Sequence, residues 1–273
     1  MPPGARRTRF NMTVFHDQLN RVINLDKVPK RIVSVVPSQT ELLFYLGLDA
    51  EVVGITKFCV HPEHRFKMVT KVGGTKQLNI AQIKTLQPDL IIANKEENER
   101  SQIEELMNIC PVWISDIHNL DEALQMIRSV GAITDRETAA KTLCDDIASR
   151  FSKLILPALK LRVAYFIWRK PYMIAGNHTF IGSMLQKCGL MNVFQTNRYP
   201  EINAEELVKA KPDVILLSSE PYPFKQKHID EFKGILPQAR VVLVDGEMFS
   251  WYGSRLLYAP AYFKELIHTL TIN

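Results

Sequence analysis

The segment Asn-Ile-Ala-Gln-Ile-Lys-Thr-Leu-Gln-Pro-Asp-Leu-Ile-Ile-Ala-Asn-Lys-Glu, residues 79–96, returns in altered form as Asn-Ala-Glu-Glu-Leu-Val-Lys-Ala-Lys-Pro-Asp-Val-Ile-Leu-Leu-Ser-Ser-Glu, residues 203–220. A constant spacing of 124 positions (79 to 203) relates Pro88 to Pro212, Asp89 to Asp213 and Glu96 to Glu220. Each copy reads as a short helix, a Pro-Asp turn and a buried strand. At nearly the same spacing, Arg31-Ile-Val-Ser-Val-Val answers to Arg162-Val-Ala-Tyr-Phe-Ile, and Val112-Trp-Ile-Ser-Asp to Val241-Val-Leu-Val-Asp. The period is too long for a solenoid repeat. It predicts two similar lobes, and a ligand cleft between such lobes is a favoured site.

The elements follow from local pattern. Residues 13–25 predict a β-hairpin. Ile32–Val36 reads as a strand, followed by a helix Glu41–Leu46 with Ser38 or Thr40 as its cap. Val52–Ile55 is a second strand and Gly73-Gly74 a turn. Then come helix Ile80–Leu86, strand Leu90–Ala93, helix Arg100–Asn108, strand Val112–Ser115 and helix Leu120–Val130. A strand followed each time by a helix predicts a parallel α/β lobe. Ala140, Leu143, Ile147, Phe151 and Leu154 recur at helical spacing, so 134–156 reads as the longest helix, about 23 residues and roughly 35 Å. The second lobe reads as strand 162–167, helices 180–187 and 204–210, strands 214–217 and 241–244, and a terminal helix 255–270. The expected fold is α/β, with two Rossmann-like lobes joined by one long helix. Its division is an N-terminal extension and hairpin at 1–26, a lobe at 27–133, a connecting helix at 134–160 and a lobe at 161–273.

Composition excludes several functions. The net charge of +5 is mild, and outside Arg6-Arg7-Thr-Arg9 the basic residues are scattered, so no nucleic-acid footprint is expected. Cys59, Cys110, Cys144 and Cys188 form no paired motif. The first eleven residues lack the apolar run of a signal peptide, and Met12 is a second candidate start. No transmembrane span is expected. Neither a Gly-rich phosphate loop nor a nucleophile-elbow motif occurs. His61 and His64, with Cys59 nearby, have the spacing of a weak metal motif, but no protein-bound metal is expected.

Ligands of parallel α/β sheets sit beyond the carboxyl ends of the strands. Those ends carry Pro37–Thr40, Thr56–Pro62, Asn94–Asn98, Trp168–Tyr172, Ser218–Tyr222 and Asp245–Tyr252. They are rich in aromatic and charged residues, which suits a large flat or amphipathic ligand. Phe58, Trp168, Tyr199, Phe249, Trp251 and Tyr252 are candidate walls. Arg169, Arg255 and Glu247 are candidate anchors, with Glu97 and His61 at the rim. An alternative for Phe249 is packing beneath its own loop.

Arg31-Ile-Val-Ser-Val-Val-Pro-Ser-Gln-Thr-Glu-Leu, Gly54-Ile-Thr, Val72-Gly-Gly and Leu86-Gln-Pro-Asp-Leu-Ile-Ile-Ala resemble the helical-backbone (class III) substrate-binding proteins of ABC importers, nearest the cobalamin-binding branch, alongside receptors for haem and iron-siderophores. The resemblance spans residues 27 to about 270. It implies two lobes joined by one helix, a ligand in the cleft, little domain closure and no chemistry on that ligand; a monomer is expected. A corrin-contacting aromatic falls on Phe58 and a cleft tryptophan on Tyr199. A second tryptophan falls near Thr75 and is absent. A ligand loop falls on 167–171. The acidic cleft residue falls on Glu247, with Phe249 beside it, and the arginine of the pattern is Trp251. Of two surface glutamates that meet the ABC permease, Glu205 is present and Ala81 replaces the other. The resemblance implies a periplasmic or extracytoplasmic protein; the first residues leave a cytoplasmic location open. The second reading is a cytoplasmic enzyme or cofactor-handling protein on the same fold, using Cys59, His61, Glu96 or Glu97.

Overall fold

The computed structural model describes residues 13–157 and 160–272. The basic N-terminal run and Met12 lie outside the described residues. Two compact units emerge, one of residues up to 116 with 128–140, the other of 117–127 with residues from 141 onward.

In the first unit, strands β1 (Thr13–His16) and β2 (Val22–Leu25) pair as the expected antiparallel hairpin. The unit's sheet is built from β3 (Ile32–Ser34), β4 (Val52–Ile55), β5 (Thr70–Lys71), β6 (Leu90–Asn94) and β7 (Val112–Ser115). All four pairings are parallel, in the order β5-β4-β3-β6-β7. The helices are α1 (Pro37–Tyr45), α2 (Glu63–Met68), α3 (Ile80–Thr85) and α4 (Arg100–Leu106). The buried Asp17 carboxylate accepts from Arg21 Nη2 at 2.6 Å and from the Ile114 amide at 3.3 Å, which ties the hairpin turn to β7. Val33, Ile83, Ile91, Ile103 and Leu106 share one core, where the apolar faces of strands and helices meet.

Helix α1 begins four residues before the expected start. Pro37 opens it, as suits a residue with a fixed φ and no N–H to leave unpaired. Val36 is its N-cap, and Ser38 and Thr40 lie inside the helix. Thr40 donates back to Val36 O at 2.8 Å instead of capping.

In sequence, α5 (Leu120–Ile133) and α6 (Glu137–Ser152) follow β7. At 16 residues α6 is the longest helix among those described, but it is shorter at both ends than the 134–156 pattern. Asp135 takes a left-handed conformation (φ 59°), which separates it from α5.

The second unit holds β8 (Arg162–Trp168), β9 (Tyr172–Ile174), α7 (Phe180–Lys187), β10 (Met191–Asn192), β11 (Glu201–Ile202), α8 (Ala204–Ala210), β12 (Val214–Ser218), α9 (Gln226–Ile235), β13 (Arg240–Val244), α10 (Glu247–Ser250), a 3-10 turn at Ser254–Leu257 and α11 (Ala259–Ile272). Its sheet runs β11-β9-β8-β12-β13. The helix expected at 180–187 forms as α7, and between it and β8 the chain turns at Lys170-Pro171 and returns as β9, a strand the sequence pattern did not mark, antiparallel to β8. The terminal helix starts at Ala259, with the 3-10 turn before it.

The internal repeat is a structural clasp made twice. Asn79 and Asn203 cap α3 and α8, accepting from Gln82 N at 3.0 Å and Glu206 N at 2.9 Å. Gln87 and Lys211 both take left-handed conformations, φ 45° and 48°, just before the prolines. The Asp89 carboxylate then accepts from the Arg31 amide and Asp213 from the Arg162 amide, each at 2.8 Å. Both arginines reach back to the last turn of the helix, Arg31 Nη2 to Leu86 O at 2.6 Å and Arg162 Nη2 to Ala210 O at 2.7 Å. Each clasp fixes a helix against the start of two neighbouring strands. Within each unit the central pairings therefore match, β3-β6-β7 in the first and β8-β12-β13 in the second.

Candidate functional site

Parallel strands of one sheet end along one edge, so each unit gathers its candidate loops there. In the first unit these loops are pinned by buried amides. Asn94 Oδ1 accepts from the amides of Glu96 and Glu97 at 2.8 and 3.0 Å. Asn98 Nδ2 donates to Val35 O and Thr75 O, both at 3.1 Å, joining three loops. Gln39 Nε2 donates to Ser115 Oγ. Asn94 and Asn98 were not among the residues singled out in the sequence, although asparagines at strand ends are ordinary loop-fixing residues.

Phe58 follows β4 and is 50% exposed, with Lys57 Nζ 5.1 Å from its ring centroid. Gly73 is left-handed (φ 102°), and a Cβ there would meet Gln77 O at 2.4 Å, so only glycine makes this turn beside Phe58. His61 and Glu97 are half-buried. Cys59 is enclosed, its sulfur 3.1 Å from the hydroxyls of Thr40 and Thr56. Burial pushes its thiol up to about 11, partly offset by those hydroxyls. A nucleophilic cysteine needs a lowered value and access, and Cys59 has neither. Among the described residues no three His, Cys, Asp or Glu side chains are gathered to hold a metal ion.

None of the four cysteines is in a disulfide, and burial also raises Cys110, to about 12. The native protein should therefore react slowly with a disulfide reagent at pH 8 and release four thiols per chain after denaturation. One fast-reacting thiol in the native state would restore Cys59 as a reactive group.

In the second unit Trp168 ends β8 and is 39% exposed. Its ring lies edge-on to Tyr222 at 5.6 Å, and its N–H donates to Lys170 O at 3.1 Å. Arg169 Nε donates to Glu231 Oε2 at 2.8 Å, and the Tyr172 hydroxyl takes the other oxygen at 2.6 Å. Burial opposes the charge on Glu231, but Tyr172 and Arg169 outweigh it and hold the carboxyl below its ordinary value. Burial and that same bond raise the Tyr172 hydroxyl to about 12. Tyr222 closes the Ser218–Tyr222 strand end, whereas Glu231 lies on α9, whose polar sequence gives no helical signal of its own.

The loop after β13 presents Glu247, Trp251, Tyr252 and Arg255. Arg255 Nη1 sits 2.9 Å from Glu247 Oε2, and its guanidinium lies 5.1 Å from the Trp251 ring centroid. The Trp251 N–H donates to Glu220 Oε1 at 2.8 Å, and Ser250 reaches the same oxygen with its hydroxyl. Glu220 lies in the Ser218–Tyr222 strand end and is the repeat partner of Glu96. A Cβ on Gly246 would meet Ser218 Oγ at 2.3 Å and Glu220 Cγ at 2.6 Å, so glycine lets this loop press against the end of β12. Trp251 and Tyr252 are buried, and Tyr199 is half-buried. Phe249 is fully enclosed between Tyr165, at 5.2 Å, and Phe263, at 4.8 Å. It packs beneath its own loop and presents no face at the strand ends. An open groove of about 480 Å³ runs beside these loops, lined by Ser219, Phe224, Leu243, Val244, Asp245 and Glu247.

Residues 32–234 match the periplasmic binding protein family. The chain belongs to that family. It is 24% identical over 240 residues to the vitamin B12-binding protein of Pectobacterium carotovorum subsp. carotovorum, covering 85% of this chain and 86% of that one. A solved ABC transporter substrate-binding protein from Listeria monocytogenes matches with a TM-score of 0.75 and 25% identity, over 90% of this chain and all of the other. A periplasmic heme-binding protein from Pseudomonas aeruginosa has the same fold at a TM-score of 0.78, with 20% identity over 88% of this chain and 93% of that one. The expected resemblance and two-lobe α/β class stand. These relatives are binding proteins rather than enzymes. Among the described residues no helix is long and apolar enough to cross a membrane.

Proposed function

We propose that this chain is the ligand receptor of an ABC importer and that it holds cobalamin or another corrinoid, with haem and iron-siderophores as the alternative chelates. The carrying observation is a pair of open aromatic side chains, Phe58 and Trp168, one at the carboxyl-end edge of each unit's sheet. Large aromatics exposed at such ends suit a flat ligand. Trp251, Tyr252 and Tyr199 complete the walls, Arg169, Arg255 and Glu247 supply polar contacts, and His61 and Glu97 form the rim. No chemistry on the ligand is proposed, a reading supported by the protonated, enclosed Cys59.

The partner is an ABC permease met on the outer side of a membrane. Glu205 supports docking: it is exposed in the first turn of α8. Ala81 holds the matching exposed position on α3, so one charge contact serves where two would be expected.

Titration of the purified protein with cyanocobalamin, followed by tryptophan fluorescence and corrected for corrin absorbance, tests the ligand class. Saturable quenching at micromolar affinity or tighter is expected. Tighter binding of haem or a ferric siderophore would move the ligand within the class. Absence of binding to all three would remove chelated-metal uptake.

A further inference from the structure

We propose that Glu231 and Glu247 set the ligand class of this receptor: by engaging Arg169 and Arg255 they withhold both arginines from carboxylates and select a chelate bearing neutral carboxamides. The inference rests on the chelate-receptor reading above and narrows it.

The two arginines are the natural anchors for an anionic ligand in the second unit, one following β8 and one following the β13 loop. Guanidinium groups recognise carboxylates by two-point contacts, and haem carries two carboxylates that would use them. Here each arginine is met by a carboxylate of its own unit. Arg169 and Glu231 are 28% and 24% exposed, and Arg255 and Glu247 only 14% and 20%. Pairs this sheltered are screened far less than pairs standing in water. Both oxygens of Glu231 are engaged, one by Arg169 and the other by the Tyr172 hydroxyl, each with acceptor capacity left over. Arg255 is held on its other side by the Trp251 ring, whose N–H is fixed by Glu220.

Further acidic groups stand on the same loops. Asp245 accepts from the Glu247 amide at 3.0 Å, and the Glu220 carboxylate faces Trp251 and Ser250. Around Arg255 an incoming carboxylate would meet the carboxylates of Glu247, Asp245 and Glu220, whereas the exposed Lys225 and Lys227 stand near the Arg169 pair, so the withholding is strongest at Arg255. A primary carboxamide meets the opposite situation. An ion pair offers a donor and an acceptor side by side without net charge, and a carboxamide presents the complementary acceptor and donor. Corrinoids carry such amides around the ring.

The test compares each chelate as amide and as acid: cyanocobalamin against its peripheral monocarboxylic acids, and haem diamide against haem. Binding of all four is measured to the unaltered protein and to Glu231→Gln and Glu247→Gln, with urea midpoints as a folding control. The unaltered protein should prefer the amide form by about tenfold or more. Each variant should shrink that preference at least about threefold, by exposing its arginine. Either variant alone suffices, and the preference of the unaltered protein needs no variant. Chelate binding without amide preference, or with a preference that both variants retain in full, overturns this inference alone. Failure of every chelate to bind overturns it together with the receptor reading.

Discussion

Phe249→Ala is expected to destabilise the protein by about 3–5 kcal/mol, the cost of emptying a fully buried phenylalanine site. The ring has no solvent exposure and fills the space between Tyr165 on β8 and Tyr262 and Phe263 on α11. It is also the anchor of a short element. Helix α10 has four residues, too few to hold itself, so the loop that carries Trp251, Tyr252 and Arg255 depends on this side chain. The variant should therefore unfold at lower urea and also bind ligand more weakly, while Phe249→Leu should recover much of both. Denaturant titration followed by far-ultraviolet circular dichroism reads the first effect. A loss below about 1 kcal/mol would mean that the site collapses around the gap, and that Phe249 does not hold the loop.

Trp168→Ala is expected to weaken ligand binding at least about tenfold, or about 1.4 kcal/mol, as truncation of an aromatic hot spot does. Its effect on stability should be smaller. The side chain is 39% exposed and loses chiefly its edge-on contact with Tyr222, worth about 0.5–1.5 kcal/mol. Calorimetric titration at matched concentrations of folded protein separates the two. Unchanged affinity would remove Trp168 from the ligand wall and leave its exposure unexplained. Phe58, on the first unit, is the parallel test, because it too stands open and touches little of the core.

The architecture was legible in the chain wherever the cause was local. The repeat Asn79–Glu96 and Asn203–Glu220 announced two similar units, and each copy folds as helix, left-handed residue, proline and strand. The hairpin at 13–25 and the strands at 52–55 and 112–115 were equally plain. Errors gathered where two local signals competed. Ser38 and Thr40 have the chemistry of caps, but Pro37 is the better first residue of a helix, and it prevailed. The pattern at 134–156 outran the helix because Asp135 turns left-handed at one end and the helix closes at Ser152 at the other. Strand β9 has three residues and α9 a strongly polar sequence, so neither stood out from its surroundings.

The candidate site was legible as a list of loops and not as a set of contacts. Strand order alone brought Phe58, Trp168, Arg169, Glu247 and Trp251 to the strand ends. Nothing local could say that Phe249 turns inward while Trp168, with similar side-chain chemistry, stays open. Nor could it say that Arg169 meets Glu231 or that Trp251 leans on Glu220, since these partners lie 62 and 31 positions apart in the chain. The sequence by itself determined the two-lobe plan, the repeated helix-turn-strand units and the strand ends, because each rests on periodicity or on backbone preference within a few residues. The tertiary structure alone decided which aromatics are walls and which are core, which cations are already paired and how the Cys59 thiol is held, because burial and pairing are set by neighbours that only folding brings together.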